Sequence, residues 1–335
     1  MPDPLNSPVL LADIGGTNAR FALLAEGEVR PGALRVFRCA DFPDIVSAVR
    51  AYLEGVPGSR PVEAVVAIAN PVTGDVVRMT NHAWSFSIEE SRRALGLARL
   101  RVVNDFEALA MALPGLSSGE YVQIGGGSAR DRSVIGLIGP GTGLGVSGLV
   151  PVGAAGWKTL AGEGGHVSFS PADSEQDEIL AVLREKHHGP ISVERLVSGP
   201  GLVRIHDAVA EISGQEPQQD MTPDRISALA VAGEDDCCIR ALTLFCAMLG
   251  SAAGNLALTL GAQGGIYIGG GIVPKILSFF EKSPFRASFE AKGRMEPYLR
   301  DIPTFVITAD NPTLLGAAAL SRHESLGSES DHLSA

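Results

Sequence analysis

Cysteine is scarce in this sequence. The 335 residues include only Cys39, Cys237, Cys238 and Cys246, and no two of these form a Cys-x-x-Cys pair. A structural zinc site built from paired thiolates is therefore not expected. Because adjacent cysteines make a poor framework for disulfides, the Cys237-Cys238 pair favours a reducing, cytoplasmic compartment.

Positive charge is also in deficit. The chain carries 27 Lys and Arg against 38 Asp and Glu, which gives a net charge of -11. A general nucleic-acid binder normally has a basic patch, so this balance disfavours that class of protein. It does not disfavour a small anionic ligand held locally. The N-terminus lacks a basic segment followed by an apolar one, so no signal peptide is predicted.

Residues 241–261 form a long run without a charged side chain. The run is long enough to span a bilayer, and Gly250 and Gly254 have the spacing that lets helices pack closely. However, polar residues such as Thr243 and Asn255 are costly inside lipid. We therefore expect a buried core helix here and no association with a membrane.

Length and composition indicate a folded protein with two domains. A chain of 335 residues is long for one hydrophobic core. Hydrophobic residues make up 45% of the sequence and charged residues 19%, so the chain can bury a sizeable core. This composition argues against wholesale disorder.

Near the N-terminus, an apolar run ends in a carboxylate and a glycine-rich turn. Residues 10–14 include Asp13, and Gly15, Gly16 and Thr17 follow before a second strand-like run. Glycines let the backbone bend, and they leave N–H groups uncovered, which suits a phosphate. Asp13 is well placed to hold a metal-bound water. Taken alone, the stretch fits an ordinary hairpin equally well.

The same pattern recurs in the middle of the chain. Residues 133–146 again read as strand, glycine-threonine turn and strand. Strands alternating with helices follow each copy, so the chain reads as two similar α/β halves. Two halves facing each other would aim two phosphate-cradling loops into one cleft, which would fit a mononucleotide with several phosphates.

The remaining elements follow from periodicity, turns and caps. A polar, glycine-rich stretch from Pro114 to about Ser133 is expected to join the domains, the tail from Glu324 to be frayed, and Pro43 to lie in the first turn of a helix. Strands are predicted at 9–14, 18–25, 33–38, 63–69, 100–103, 264–268 and 304–308, and helices from 41 onward and at 87–95, 106–113, 173–186, 199–213, 222–232, 235–261 and 312–321.

An ordered set of short motifs runs along the chain. The motifs are Asp13-Ile-Gly-Gly-Thr-Asn-Ala-Arg20, Thr80-Asn-His-Ala-Trp84, Val103-Asn-Asp-Phe106, Gly139-Pro-Gly-Thr-Gly-Leu-Gly145, Gly162-Glu-Gly-Gly-His166, Glu194-Arg-Leu-Val-Ser-Gly-Pro-Gly201, Gly269-Gly-Gly-Ile-Val-Pro274 and Asp310-Asn-Pro312. Together and in this order they resemble bacterial glucokinases of the proteobacterial type, from about residue 9 to about residue 322. The resemblance implies the actin-like ATPase/hexokinase (ribonuclease H-like) fold, with two duplicated α/β domains around a cleft. The small domain would comprise residues 1–115 and 312–335, and the large domain residues 116–311.

One departure separates the chain from a neighbouring family. Glucokinases of the repressor/open-reading-frame/kinase family follow their Gly-Glu-x-Gly-His segment with a cysteine-rich zinc motif. Here residues 162–166 are followed by Val-Ser-Phe-Ser-Pro, without cysteine. The resemblance therefore places the chain outside that family and implies no structural zinc.

The resemblance also implies roles for individual residues. Asp105 would be the catalytic base, although the residues alone leave open that it only caps a helix. His166 could instead be a solvated loop residue, and Asn70 could line the sugar pocket or serve a turn. The implied glucose ligands are Asn104, Asp105, Glu163, His166, Glu194 and Asn81.

The implied nucleotide site draws on both glycine-rich loops and on a third segment. Mg²⁺ would arrive with ATP rather than bind tightly, with Asp13 orienting a water on it, and Arg20 would tie strands together. The implied ATP ligands are Ala12, Asp13, Ile14, Gly15, Gly16, Thr17, Gly141, Thr142, Gly143, Gly270 and Gly271.

Taken together, the resemblance implies a cytoplasmic glucokinase, often a homodimer, that uses ATP to convert D-glucose to glucose 6-phosphate in the first step of glycolysis. A kinase for mannose, fructose or an amino sugar remains an alternative, as does another phosphoryl donor. Only 12 residues precede Asp13, which disfavours a sugar-sensing regulator with an N-terminal helix-turn-helix. The sugar-ligand set disfavours an actin-like filament or chaperone ATPase.

Overall fold

The protein was examined as a computed structural model that describes residues 7–58, 60–79, 83–154 and 156–327, with side chains up to residue 322. The chain divides into two compact units. The first unit comprises residues 1–116 and 309–335, and the second comprises residues 117–308. These boundaries lie one and three residues from the predicted ones.

Strands and helices alternate along both units. The strands are β1 (Val9–Ile14), β2 (Asn18–Leu24), β3 (Gly32–Arg38), β4 (Glu63–Ile68), β5 (Val76–Arg78), β6 (Ser85–Ser87), β7 (Arg99–Asn104), β8 (Tyr121–Ile124), β9 (Ile135–Pro140), β10 (Leu144–Val152), β11 (Gly156–Gly162), β12 (Ile266–Ile268) and β13 (Thr304–Ile307). The helices are α1 (Ile45–Glu54), α2 (Ile88–Leu95), α3 (Asp105–Ala112), α4 (Ser174–Lys186), α5 (Gly199–Ile212), α6 (Pro223–Ala232), α7 (Asp236–Leu260), α8 (Leu277–Phe280), α9 (Phe285–Glu290), α10 (Glu296–Arg300) and α11 (Pro312–Gly327).

The first unit is built on a mixed sheet in the order β3-β2-β1-β4-β7. Strands β1, β4 and β7 run parallel, whereas β2 and β3 extend the sheet as antiparallel neighbours. Strands β1 and β4 are almost continuously apolar and buried, as expected for strands covered on both faces, whereas β7 at the edge alternates with polar residues. Because β1, β4 and β7 are parallel, their carboxyl ends meet at one edge of the sheet.

Helix α11 returns the chain to the first unit and packs tightly against α3. A Cβ atom at Gly316 would overlap the carbonyl oxygen of Ala108, so glycine is needed for this close approach. The contact supports α3 directly after the edge where β7 ends.

The second unit contains a larger sheet in the order β11-β10-β9-β12-β13-β8. Strand β8 lies within the stretch that we predicted to be a polar junction, and it pairs antiparallel with β13. That prediction was wrong for residues 121–124, because this edge strand is short and partly exposed and gives no clear apolar pattern. The predicted strand at 264–268 also begins later, since Gly264 and Gly265 lie in the turn before β12.

Helix α7 confirms the expected long core helix. By length and composition it could cross a membrane, but 72% of its most apolar window is buried inside the protein. Gly250 and Gly254 face α9, where Cβ atoms would contact the carbonyl oxygens of Phe285 and Phe289. The small residues therefore serve close helix packing within this unit.

One local expectation needs correction. Pro43 precedes α1 rather than lying in its first turn, because Asp44 is the N-cap. The Asp44 carboxylate accepts the Ser47 N–H at 2.7 Å, and Ser47 Oγ reaches back toward the Asp44 N–H at 3.4 Å. This reciprocal capping box fixes where the helix begins.

Candidate active site

In the first unit, the predicted base and the predicted metal-facing carboxylate share one edge of the sheet. Ile14 of β1 pairs with Ile68 of β4, which in turn pairs with Asn104 of β7. The ends of β1 and β7 are therefore two strand spacings apart, or about 10 Å. Asp13 and Asp105 lie close to these two ends, so the parallel register brings both carboxylates to the same edge.

Arg20 lies directly opposite Asp13 in the β1–β2 pair. Its Nη1 donates to Asp13 Oδ2 at 3.2 Å, and the Asp13 side chain is only 17% exposed. Burial raises the pKa of Asp13, and the Arg20 guanidinium offsets part of that increase. Arg20 was expected only to tie strands together, but it also orients this carboxylate.

The Gly15–Thr17 turn presents backbone donors next to Asp13. The Gly15 N–H donates to the Asn18 carbonyl at 3.0 Å, and the Cys39 N–H donates to the Thr17 carbonyl at 2.9 Å. Within the described part of the chain, the N–H groups of Gly16 and Thr17 have no hydrogen-bond partner. They are therefore available to an anion such as a phosphate.

Asn104, rather than Asp105, caps helix α3. Its Oδ1 accepts the N–H of Phe106 at 2.9 Å and that of Glu107 at 3.3 Å. Asp105 is the first residue of the helix. Asn104 therefore fills the capping role that the sequence left open for Asp105. Asp105 Oδ1 also accepts the Phe106 N–H, at 2.9 Å.

The Asn104 amide is held on its other side too. Its Nδ2 donates to the Asn70 carbonyl at 3.3 Å, and Asn70 Nδ2 donates to the Arg78 carbonyl at 3.2 Å. Asn70 follows β4 and is buried. The predicted sugar ligand Asn81 lies outside the described residues.

In the second unit, the Gly141–Gly143 turn joins β9 to β10. The Gly141 N–H donates to the Gly143 carbonyl at 2.8 Å. The Thr142 and Gly143 N–H groups have no partner among the residues that the structure describes. This turn therefore offers the same kind of free donors as the turn in the first unit.

The segment predicted to hold adenosine lies against the same strand. Gly270 has a left-handed φ of +78°, and a Cβ atom there would overlap the Pro140 carbonyl oxygen. The Gly269 N–H donates to the Ile138 carbonyl at 2.9 Å. Only glycine permits this approach, which brings residues 269–271 to the end of β9.

Glu194 connects the sugar-binding candidates to this turn. Its Oε2 accepts the Leu144 N–H at 2.8 Å. A Cβ atom at Gly143 would lie 2.5 Å from the same oxygen. Glycine at 143 therefore leaves the space that the carboxylate occupies.

Glu163 and His166 complete this group. The His166 N–H donates to the Glu163 carbonyl at 3.0 Å, and the Glu194 N–H donates to the Gly165 carbonyl at 2.9 Å. His166 Nε2 and Glu163 Oε2 are 4.0 Å apart, and both side chains are more than half exposed. Three of the predicted sugar ligands thus converge beside the Gly141–Gly143 turn and remain open to a ligand.

A cavity of about 330 Å³ lies between α6 and the residues that follow Gly271. The Gly199 N–H at the start of α5 donates to the Gly141 carbonyl at 2.8 Å, and the Cβ position of Gly199 is 3.4 Å from Pro223 of α6. Sequence patterns gave no signal for this cavity, because its walls come from distant segments. The lining includes Pro223, Ser227, Ala228, Val231, Ile272, Lys275 and Ile276.

The two α/β units and their glycine-rich turns place the chain in the actin-like/hexokinase fold class. A family model described as Glucokinase matches residues 10–324. The chain belongs to the glucokinase family.

Known relatives agree with this assignment. The chain is 52% identical to a glucokinase from Chromobacterium violaceum over 315 residues, covering 93% of this chain and 88% of that protein. It is 53% identical to the bifunctional protein glk of Burkholderia pseudomallei, covering 94% of this chain and 48% of the relative. The chain therefore spans about half the length of the first curated relatives that it matches.

Solved structures give the same picture. A glucokinase from an Antarctic psychrotroph is 40% identical with a TM-score of 0.84, and the match covers 94% of this chain and 98% of that one. A glucokinase from Streptomyces griseus, solved with glucose and AMPPNP, is 20% identical with a TM-score of 0.65, covering 94% and 99% of the two chains. The latter likeness shows the fold alone.

Proposed function

We propose that the protein is a cytoplasmic glucokinase that transfers the terminal phosphoryl group of ATP to D-glucose, giving glucose 6-phosphate and ADP in the first step of glycolysis. The observation that carries the proposal is the position of Glu194. Its carboxylate contacts a turn with free backbone donors, and its segment also holds Glu163 and His166 nearby. A kinase needs sugar and phosphate sites in such proximity.

Glucose offers a ring of hydroxyl groups, each of which can donate and accept a hydrogen bond. In the proposed site, the carboxylates of Glu163 and Glu194 accept from these hydroxyls, and the His166 imidazole exchanges a hydrogen bond with another. Asn104 offers the sugar its Nδ2 donor, because its Oδ1 acceptor already caps α3. Asn81 is retained as a proposed ligand on the resemblance alone. Such a set rejects sugars that leave a buried partner unpaired.

Asp105 is the proposed general base. Phosphoryl transfer to a hydroxyl depends mainly on positioning and on neutralising charge, so the protein supplies little covalent help. A carboxylate within hydrogen-bond reach accepts the hydroxyl proton as the sugar oxygen bonds to phosphorus. Asp105 lies at the start of α3, directly beside the proposed sugar ligand Asn104.

The nucleotide is assigned to three backbone segments. On the resemblance, these segments are residues 12–17, the Gly141–Gly143 turn and residues 270–271. The proposed donors to the phosphates are the N–H groups of Gly16, Thr17, Thr142 and Gly143, which are free among the described residues. Residues 270–271 leave room for adenosine beside the cavity lined by α6. Asp13, oriented by Arg20, suits a water on Mg²⁺. When bound with ATP, Mg²⁺ supplies charge neutralisation at the phosphates. No structural zinc is part of this proposal.

A screen of sugars and phosphoryl donors tests the proposal. Purified protein is assayed with glucose, mannose, fructose and glucosamine, each with ATP or polyphosphate. We expect the highest kcat/KM with glucose and ATP, with one ADP released for each sugar phosphate. A higher kcat/KM for another hexose would favour the alternative sugar kinase. ATP hydrolysis without any sugar phosphate would contradict kinase activity altogether.

Two further parts of the proposal concern partners. The resemblance favours a homodimer without nucleic-acid or membrane partners, and the net charge of -11 is in line with the absence of a nucleic-acid partner. Light scattering of the full chain at several concentrations tests the dimer. A monomer at all concentrations would remove that part without affecting the proposed reaction.

A further inference from the structure

The second unit contains a pocket lined by several cationic side chains. These residues are distant in sequence from the glycine-rich turns. The pocket has a volume of about 190 Å³ and is lined by the end of α4, by α5 and by the residue after Glu194. This local excess of cations stands out in a chain whose net charge is -11. The charged or titratable lining residues are Lys186, His187, Arg195, Arg204 and Asp207.

The two arginines have little to neutralise them. Arg204 Nη1 donates to the Arg195 carbonyl at 3.0 Å, which holds the two residues together. Within the described residues, neither guanidinium forms an ion pair, and the Arg195 side chain makes no hydrogen bond. Burial, followed by the charge of Arg195, lowers the pKa of Arg204. The pKa of His187 is lowered by desolvation first and then by both arginines.

Helix dipoles do not explain this arrangement. Lys186 and His187 lie at the C-terminal end of α4, where cations are favourable. Arg195, however, precedes the N-terminal end of α5, where a cation is unfavourable, and Arg204 lies within that helix. The arginines therefore need another source of negative charge.

The protein's own carboxylates supply only part of the negative charge that the two arginines need. Lys186 pairs with Glu211, and Asp207 Oδ1 contacts His206 Nδ1 at 3.1 Å. Glu194 also favours the charged form of Arg204, but it forms no ion pair with it. A tetrahedral anion could accept hydrogen bonds from both guanidinium groups at once.

We propose that the pocket between α4 and α5 binds a small phosphate-bearing anion through Arg195 and Arg204, as a site separate from the glycine-rich turns. The proposal does not depend on kinase activity. The volume of the pocket admits free orthophosphate or a compact phosphate monoester, and the chemistry that recognises the two is the same.

Calorimetry on the full chain tests the site, with orthophosphate and glycerol 3-phosphate titrated at constant ionic strength. We expect Arg195→Gln and Arg204→Gln each to weaken binding at this site by about tenfold or more. Arg50→Gln is the matched control, because Arg50 also donates to a backbone carbonyl but lies in the other unit. The affinity of the Arg50→Gln variant for both anions should equal that of the unchanged protein. Asp207→Asn should bind more tightly, because it removes an opposing charge.

Arg195→Gln is the decisive variant, because its side chain has no partner in the fold whose loss could disturb folding. It also leaves the glycine-rich turns untouched, so a difference from the unchanged protein isolates this pocket. Binding of both anions identifies a site for phosphate monoesters, and binding of orthophosphate alone identifies a site for free phosphate. Unchanged affinity in Arg195→Gln, or no binding of either anion, would overturn the proposal.

Discussion

Asn104 and Asp105 are neighbours at the start of α3, and Asn104 is the N-cap of this helix. Asn104 satisfies the free N–H groups of the helix, which a residue at this position must do. Asp105 is therefore not required as the cap. The residues alone could not separate these roles, because Asn and Asp are both preferred N-caps. The role of Asp105 as general base stays a prediction.

Replacing Asp105 tests that role. We expect Asp105→Ala to lower kcat by about 10²-fold or more, because the variant lacks the proposed acceptor of the hydroxyl proton. Glucose should still bind, since the other ligands remain. Glu107→Gln is the control, as Glu107 lies in the same helical turn and faces Arg101 at 3.5 Å. Coupled assays measure kcat, and calorimetry measures glucose affinity. Near-normal turnover in Asp105→Ala would rule out the assignment.

Gly143 is the second informative residue. A methyl group at this position would lie 2.5 Å from Glu194 Oε2 and would displace the carboxylate, whereas nothing lies within 4 Å of a Cβ atom at Gly141. A displacement near 1 Å can cost about 10²-fold in activity. We expect Gly143→Ala to lose most glucose affinity, measured calorimetrically without nucleotide, while Gly141→Ala retains it. Equal affinities in both variants would show that Glu194 is not held against the turn.

At the scale of elements, α7 shows how composition can mislead. Its apolar length resembles a membrane span, yet its glycines lie against the backbone of α9. In an isolated helix, Gly to Ala would add stability of up to about 1 kcal/mol. Here the contact between the α7 glycines and the α9 backbone reverses the preference for alanine, because an added methyl group would have no space.

We therefore expect Gly250→Ala to destabilise the protein by about 1–3 kcal/mol, as overpacking usually does. Asn255→Ala on the exposed side of the same helix provides the control, and it should be neutral or slightly stabilising. Urea unfolding followed by circular dichroism measures both changes. A gain in stability for Gly250→Ala would mean that α9 can move away at no cost.

Sequence patterns placed the elements well where the periodicity was strong. Local signals predicted the strands β1, β4 and β9, because burial on both faces requires an apolar run within a few residues. They also predicted both ends of α7, because a helix needs capping residues next to its first and last turns. β8 and β11 carry no such signal, since they are edge strands of mixed polarity. They are strands because of their sheet partners, which no local window contains.

At the scale of the whole molecule, the residue assignments depended on the resemblance rather than on periodicity. The motifs supplied the candidate residues, and the register of parallel strands explains why Asp13 and Asp105 share an edge. The Arg20–Asp13 pair was missed, although the hairpin that sequence patterns predicted places these residues opposite each other. The arginine pocket was missed because α4, α5 and residue 195 meet only in the folded chain.

Each unit has a hydrophobic core of its own, and each core contains at least one buried cysteine whose reactivity can show when that core unfolds. Cys39 is buried in the first unit, and Cys238 and Cys246 are buried in the second. Burial raises the pKa of Cys238 and Cys246 to about 12, and it also raises the pKa of Cys39. Because the thiolate is the reactive form, native protein at pH 8 should alkylate slowly at all three sites.

In rising urea, we expect Cys39 to become reactive at a different concentration from Cys238 and Cys246, because separate cores need not unfold together. Pulses of iodoacetamide followed by mass spectrometry of the peptides measure each site. Cys237 is the internal control, since it is only partly buried and should react first. If Cys39, Cys238 and Cys246 all become reactive over one narrow urea range, the two units unfold as a single cooperative body.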